Sequence, residues 1–223
     1  MKETKYKRFE QVKNHPKVKT FIAMADKYLE SLGYTEHGFR HTSLVSEIAE
    51  NILERLGYSE REIELAKIAA YLHDIGNFLG RDTHTVSGAL IAMDILKDLG
   101  FPPEDIGEVI EAIANHDEKT GFVATPITAA VVLADKSDAH RSRVRAKPEN
   151  FDIHDRVNYA VEKSFLRVDE KNKEITLELT IDTEISKPME YFEIFLSRML
   201  LCRQAAKVLG CEFHLEINKN KLL

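Results

Sequence analysis

Six side chains that readily bind metals lie at predicted helix ends, or inside an apolar helix, in the first two thirds of this 223-residue chain. They are His41, His73, Asp74, His84, His116 and Asp135. Helix ends allow several segments of a bundle to converge on one point, and imidazoles with carboxylates are common ligands of Fe, Mn, Zn and Mg. The set therefore indicates a metal centre.

The adjacent pair His73-Asp74 lies near the end of the segment AAYLHDIGN, and Asp135 lies in the apolar segment AVVLADKSD. A single histidine at a helix C-terminus is ordinarily explained by its contact with the helix dipole and the free carbonyls. An unpaired buried carboxylate is harder to explain, because its removal from water costs much free energy. A cation between these groups would offset that cost, so a metal centre is the preferred interpretation.

The elements that must position these residues are predicted to be helices through most of the first 145 residues. Apolar periodicity and helix start and stop signals predict six helices. The first three run from His15-Pro16 to Gly33, from about His41 to Leu56, and from a Ser59–Glu62 capping box to Leu72. The next three run from a Thr83 cap to Gly100, from Glu104 to about His116, and onward from Thr125-Pro126. The apolar run 127–134 of the last helix predicts a central position in the bundle.

The pattern changes after residue 147. We expect a helix over about 152–164, a β-hairpin of strands 165–168 and 175–181, a long amphipathic helix over 188–209 and a final strand over 211–217. The predicted fold is therefore mainly α, with a helical core in residues 1–147 and a small α+β appendage in residues 148–223. We expect the long helix to pack on its own hairpin, and a homodimer interface is the second expectation for its apolar side.

Composition excludes several classes of protein. A net charge of −6 and a pI near 5.9 argue against nucleic acid and anionic membranes as partners. No segment approaches the ~18 apolar residues of a membrane span, and the N-terminal residues lack the apolar region of a signal peptide. Two cysteines, Cys202 and Cys211, make no disulfide framework. We therefore expect a soluble protein of the cytoplasm.

The order of His41, His73-Asp74 and Asp135 is similar to the H…HD…D signature of HD-domain metal-dependent phosphohydrolases. The segments HTSLVSEIAENIL, AAYLHDIGN and AVVLADKSD resemble the three helices that carry this signature, and the resemblance covers roughly residues 20–147. Two further segments, DTHTVSGALIAMDIL and EAIANHDEKTGF, resemble those that supply two extra histidines in the dinuclear branch of the family.

The resemblance implies a helical HD-domain bundle with two divalent ions. His41, His73, Asp74 and Asp135 would hold one ion, and Asp74 would bridge to a second ion on His84 and His116. In the mononuclear alternative, His84 and His116 only line the pocket. Fe or Mn is the first expectation for the metal, with Mg, Zn, Co and Ni as alternatives.

The implied reaction is cleavage of a phosphoester or phosphoanhydride bond by metal-activated water, in a nucleotide or another small phosphorylated metabolite. Asp74 and Lys136 are the expected catalytic residues. Lys136 begins the most basic stretch of the chain, and it is also expected to bind substrate together with Arg141, Arg143 and His37. In an extended backbone the two arginines would share a face, and a solvated loop explains them equally well.

Departures from the family pattern narrow the range of expected substrates. Residue 77 is Asn where the cyclic-dinucleotide phosphodiesterases usually have lysine, and their GYP segment is absent. The branch that hydrolyses diadenosine tetraphosphate normally lacks a long appendage. Two other functions stay open: an HD-type di-iron oxygenase, and a catalytically silent metal-binding module that acts through a partner. Metal identity and oxygen dependence would separate the oxygenase from the hydrolase.

Overall fold

Residues 5–222, which a computed structural model describes, form nine α-helices and one four-stranded sheet. The strands lie in the C-terminal part of the chain, and the last helix lies between the second and third strands. The helices are α1 (Lys7–Asn14), α2 (Pro16–Ser31), α3 (Phe39–Arg55), α4 (Glu60–Leu72), α5 (His84–Asp98), α6 (Pro103–Ala114), α7 (Pro126–Ser137), α8 (Ile153–Ala160) and α9 (Pro188–Val208), and the strands are β1 (Val161–Asp169), β2 (Glu174–Ile181), β3 (Glu212–Ile217) and β4 (Asn220–Lys221). The predicted mainly α fold with a small α+β appendage is confirmed. Residues 1–4 and 223, at the outer ends of the two predicted domains, lie outside the described part.

Helices α2 to α7 follow the predicted order, and their start signals act largely as expected. The Ser59 hydroxyl accepts from the Glu62 amide, and the Glu62 carboxylate accepts from the Ser59 amide, so the capping box is present. Thr125 caps α7 through its hydroxyl. Thr83 does not cap α5, because its hydroxyl donates to the carbonyl of Gly80 instead.

Helix α1 was not predicted, because it spans only eight residues and buries only Phe9 and Val12. Its first amides are satisfied from outside the helix. One carboxylate oxygen of Glu64, on α4, accepts from the amides of Arg8 and Phe9 at 2.9 and 3.2 Å. A buried acidic side chain therefore does the work of an N-cap here.

Helix α7 is the centre of the bundle, as its sequence predicts. All of its residues from Ile127 to Ala134 are buried, and it packs against α3, α4, α6 and α9. Helix α4 is buried from Ile63 to Leu72. The C-terminal ends of these two central helices bring Asp135 and His73-Asp74 into the interior.

The C-terminal sheet has the strand order β1-β2-β3-β4. The predicted helix over 152–164 is too long: α8 ends at Ala160, where Val161 pairs with Ile181 and begins the hairpin. Pairing with β2 therefore overrides the local helical preference of residues 161–164. The strand β3 is parallel to β2, with α9 as the crossover, and it is not the final strand, because a turn at residues 218–219 leads into β4.

Helix α9 packs mainly on α7 and additionally on β3 and β2, so its apolar side is covered by the helical core as well as by its own sheet. Tyr191, Phe195, Met199 and Leu201 are its largest buried side chains. The buried core runs continuously across residue 147, and the division into two domains at that position stays a prediction. None of the helices in the described part is both long and apolar enough to cross a membrane.

Candidate metal centre

All six predicted ligands converge on one point in the helical core. His41 lies in the first turn of α3, His73-Asp74 follow α4, His84 begins α5, His116 follows α6, and Asp135 lies in the last turn of α7. The first five are at most 3% exposed, and the Asp135 side chain is 14% exposed. The helix ends therefore assemble the cluster that the sequence predicts.

One half of the cluster contains the imidazoles of His41 and His73 and the carboxylates of Asp74 and Asp135. The Nε2 atoms of the two histidines lie 3.3 Å apart. Oδ1 of Asp135 lies 3.4 and 3.6 Å from these nitrogens, and Oδ2 of Asp74 lies 3.7 and 3.1 Å from them. Ligands that sit ~2.1 Å from one ion are themselves ~3.0–3.5 Å apart. The four atoms have nearly that spacing.

The other half contains His84 and His116, whose Nε2 atoms lie 3.2 Å apart. The remaining oxygen of Asp74, Oδ1, lies 3.7 Å from Nε2 of His84 and 4.0 Å from Nε2 of His116. The two oxygens of Asp74 thus face two different histidine pairs. This is the arrangement of a carboxylate that can bridge two cations.

The second nitrogen of every imidazole in the cluster has its own acceptor. Nδ1 of His73, His84 and His116 each donates to the carbonyl oxygen three residues earlier, at 2.6–2.7 Å. Nδ1 of His41 donates to the Asp138 carboxylate at 2.7 Å. Because carbonyls and carboxylates only accept, the hydrogen is on Nδ1, and in a neutral ring Nε2 is a bare lone pair. Lone pairs that face each other at 3.2–3.3 Å suit a cation between them.

Asp138 is a site residue that sequence reasoning missed. It receives Arg40 Nη2 at 2.8 Å on its carboxylate and Arg143 Nη1 at 2.8 Å on its backbone carbonyl. Burial would raise the pKa of Asp138, but the hydrogen bond from His41 and the charge of Arg143 lower it. The carboxylate is therefore ionised and fixes the orientation of the His41 ring.

Asn77 and Arg81 hold Asp74 from the outer side. Nδ2 of Asn77 donates to Oδ1 of Asp74 at 2.7 Å, and Nη1 of Arg81 lies 3.4 Å from the same oxygen. The side chain of Arg81 is 24% exposed. Arg81 lies shortly after the segment AAYLHDIGN, but no local sequence pattern indicated that its side chain would reach back to Asp74.

Lys136 is buried beside the centre, between two carboxylates. Its Nζ lies 2.8 Å from Oδ2 of Asp135 and 2.7 Å from Oε2 of Glu118. Glu118 also pairs with Nε of Arg198, on α9, at 3.1 Å. Burial would raise the pKa of Glu118, but Lys136 and then Arg198 lower it to about 2. Neither Glu118 nor Arg198 was singled out from the sequence.

The other predicted substrate-binding residues occupy three different environments. Arg141 pairs with Glu162 at 3.2 Å and lies over the ring of Tyr159. Arg143 is buried, and its Nη2 has no hydrogen-bond partner among residues 5–222. The ring of His37 lies 5.5 Å from that of His41. Residues 141–143 form a 3-10 turn, so the shared face that an extended backbone would give these arginines is not observed.

Protonation of the cluster differs between its histidines. Burial would lower the pKa of His73, but Asp74 and then Asp135 raise it to about 10. Burial, together with the positive charge of His73, holds the pKa of His116 well below its usual range. Burial also lowers the pKa of His84. In the metal-free chain, a proton on His73 therefore neutralises part of the carboxylate charge.

Comparison with known proteins finds one matching family model and two similar proteins. A family model described as the HD domain matches residues 38–142. The uncharacterized protein MJ1020 of Methanocaldococcus jannaschii is 28% identical over 201 residues, covering 79% of this chain and 76% of the relative. The crystal structure of a predicted HD superfamily hydrolase from an uncultured Thermotogales bacterium is 27% identical and covers 59% of this chain and 73% of that chain, with a TM-score of 0.43.

The matched range runs from the residue before α3 to the turn after α7, so it contains all six members of the cluster and also Asp138. Three overlapping groups of these histidines and aspartates are spaced closely enough to hold a metal ion. The range of the match and the geometry of the cluster agree with the resemblance seen in the sequence. Residues 38–142 of the chain therefore match the HD domain, and the metal-ligand candidates all lie within that match.

Proposed function

We propose that this chain is a metal-dependent phosphohydrolase that cleaves a phosphoester or phosphoanhydride bond in a nucleotide or another small phosphorylated metabolite. The observation that carries the proposal is the position of Asp74, whose two oxygens face two separate pairs of histidine nitrogens. A carboxylate that can hold two ions close together suits two-metal phosphoryl chemistry, in which a pair of nearby ions stabilises the attacking and leaving oxygens.

In this proposal His41, His73, Asp74 and Asp135 hold one divalent ion. Asp74, His84 and His116 hold the other. Fe and Mn are the first candidates, since mixed imidazole and carboxylate ligands suit both. Divalent ions at such a site acidify water and polarise a phosphoryl oxygen.

The residues around the ligands would hold the substrate and the carboxylates in place. Asn77 fixes Oδ1 of Asp74, and Lys136 fixes Oδ2 of Asp135. We propose that the Lys136 ammonium also stabilises negative charge on the departing oxygen, which is the catalytic role expected from the sequence. Its two ion pairs hold it beside the centre at no cost in reorganisation during the reaction.

Two arginine side chains near the centre support the proposal that the substrate is phosphorylated. Arg81 is partly exposed and lies against Asp74, and the buried Arg143 has an unused donor in Nη2. Arginine binds two oxygens of a phosphoryl group with its planar fork. Between the two arginines expected to bind substrate, Arg143 fits better, because it lies beside Asp138, the partner of His41, whereas Arg141 pairs with Glu162. His37, next to His41, is the remaining proposed contact.

The proposal is tested by assaying the Mn²⁺- or Fe²⁺-loaded protein against nucleoside mono-, di- and triphosphates, dinucleotides and sugar phosphates, with and without oxygen. We expect hydrolysis, followed as release of phosphate or of a nucleotide product, that needs metal and does not need oxygen. Asp74→Asn should abolish it, and Asp82→Asn, which changes an exposed aspartate nearby, should not. Substrate turnover that consumes oxygen would contradict the proposal and favour an oxygenase.

A further inference from the structure

Helix α9, which lies outside the HD domain, reaches the metal centre through a chain of ion pairs. Arg198 pairs with Glu118 at 3.1 Å, Glu118 with Lys136 at 2.7 Å, and Lys136 with Asp135 at 2.8 Å. Asp135 turns its other oxygen toward His41 and His73. The appendage is thereby connected to a predicted metal ligand, and it places a cation beside the site.

The guanidinium of Arg198 is held at one end and free at the other. Its Nε donates to Oε1 of Glu118. The guanidinium lies over the ring of Phe195, 4.4 Å from the ring centroid. Its terminal nitrogens have no hydrogen-bond partner that the structure describes, and the side chain is 31% exposed. A guanidinium oriented in this way presents a free fork of donors, which matches two oxygens of an oxyanion.

Arg198 is linked to the predicted metal ligands only indirectly, through two other charged side chains. The series of ion pairs runs from Arg198 to Glu118, then to Lys136, and only then to Asp135. We therefore take an anionic group that touches Arg198 to be a second group, separate from the phosphoryl group at the centre.

We propose that Arg198 is the core of a subsite for a second oxyanion, so that the appendage selects substrates with two phosphoryl groups over those with one. The inference rests on the proposed function, because it takes the first phosphoryl group to be at the metal centre. It assigns the C-terminal residues a role in substrate choice that the HD domain alone does not supply.

The test is isothermal titration calorimetry of the Mn²⁺-loaded protein, freed of excess metal, with two probes: inorganic phosphate and non-hydrolysable methylenediphosphonate. We expect the wild type to bind methylenediphosphonate more tightly. Arg198→Gln should weaken methylenediphosphonate binding by about tenfold, the effect of losing a charge-assisted hydrogen bond, and leave phosphate binding unchanged. Arg198→Lys keeps the charge without the fork and should give an intermediate loss.

Arg203→Gln is the matched control, because Arg203 is an exposed arginine on the same helix and borders a groove with Cys211 and Phe213, away from the centre. It removes the same charge and should change neither affinity. Loss of affinity for both probes in Arg198→Gln, together with loss of bound metal, would overturn the subsite and make Arg198 a positioning residue. An unchanged affinity for methylenediphosphonate would overturn it as well.

The outcomes also separate the subsite from the proposed function. If the wild type binds both probes and Arg198→Gln loses affinity for methylenediphosphonate only, the subsite is supported. This result does not depend on which substrate the activity assays identify. If phosphate does not bind the metal-loaded wild type at all, the proposed function fails first. Circular dichroism of each variant checks that the fold is intact.

Discussion

Nδ1 of His41 lies 2.7 Å from Oδ2 of Asp138, although the two residues are 97 positions apart in the chain. The bond fixes the ring so that Nε2 points at His73, Asp74 and Asp135. Loss of a hydrogen-bond partner of a metal-binding histidine typically lowers metal affinity by about 10–100-fold. Asp138 is therefore as much a part of the centre as the residues that would touch the metal.

Asp138→Asn should weaken Mn²⁺ binding by about 10–100-fold, because the neutral amide is a poorer acceptor for Nδ1 of His41. Isothermal titration calorimetry gives the affinity. Asp105→Asn is the control: Asp105 is also buried and pairs with Arg8, but it lies on α6, outside the cluster. Equal affinity in Asp138→Asn and wild type would contradict the assigned role of Asp138.

Gly76 lets the turn after Asp74 lie directly against α5. A Cβ at this position would collide with the backbone of His84 and Gly88. Gly76→Ala should therefore destabilise the fold by about 2–3 kcal/mol and lower the melting temperature by roughly 5–10 °C.

The matched control for that variant is Gly107→Ala. Gly107 lies within α6, and a Cβ there would meet open space. Removing a helical glycine should raise stability by up to about 1 kcal/mol. Thermal unfolding followed by circular dichroism measures both variants, and a fully stable Gly76→Ala protein would show that the turn has room to move.

Metal affinity should rise with pH. The folded, metal-free chain keeps a proton on His73, whose pKa is raised to about 10 against the ordinary value of 6.5. That proton must leave before Nε2 can bind a metal, so affinity should increase about tenfold per pH unit between about pH 7 and pH 9 and level off above about pH 10. Titrations in buffers of different ionisation enthalpy count the released protons.

The same raised pKa stabilises the metal-free fold. This contribution is fully present below the unfolded-state pKa and is lost as pH rises through about 10. His84→Asn keeps His73 and should keep the pH dependence of metal binding. An affinity that is constant over this range would contradict the protonation assigned to His73.

Variants of the two halves of the cluster should lose metal differently. His84→Asn removes a predicted ligand of one half of the cluster only, the half that faces Oδ1 of Asp74, so one ion per chain should remain. Asp74→Asn changes the carboxylate that both halves share and should lose both ions, with the helical content kept. Elemental analysis compares the two variants with Asp82→Asn as the control. One ion retained in Asp74→Asn would show that Asp74 does not bridge.

Much of the helical bundle could be predicted because its boundaries are local. The Ser59–Glu62 capping box and the Thr125-Pro126 start each act within one turn of helix, and both are observed. The histidines and aspartates of the cluster could be chosen because they lie next to these boundaries. Their convergence follows from the way short connections bring helix ends together.

The rest of the site depends on contacts between residues far apart in the chain, which no local pattern encodes. Arg198 reaches Glu118 from a helix 80 residues later. The 3-10 turn at Arg143 is held in this way: its Nε donates to the carbonyl of Glu36, and its own carbonyl accepts from the Glu36 amide. Val161 likewise leaves the helix because a strand pairs with it.

The metal content of the purified chain is the measurement to make first. The protein is prepared anaerobically, reconstituted with Fe²⁺ or Mn²⁺, freed of excess metal and subjected to elemental analysis. Two ions per chain is the expected result, since Asp74 presents one oxygen to each histidine pair. One ion would make His84 and His116 residues of the pocket wall, and no ion after reconstitution would contradict the metal centre itself.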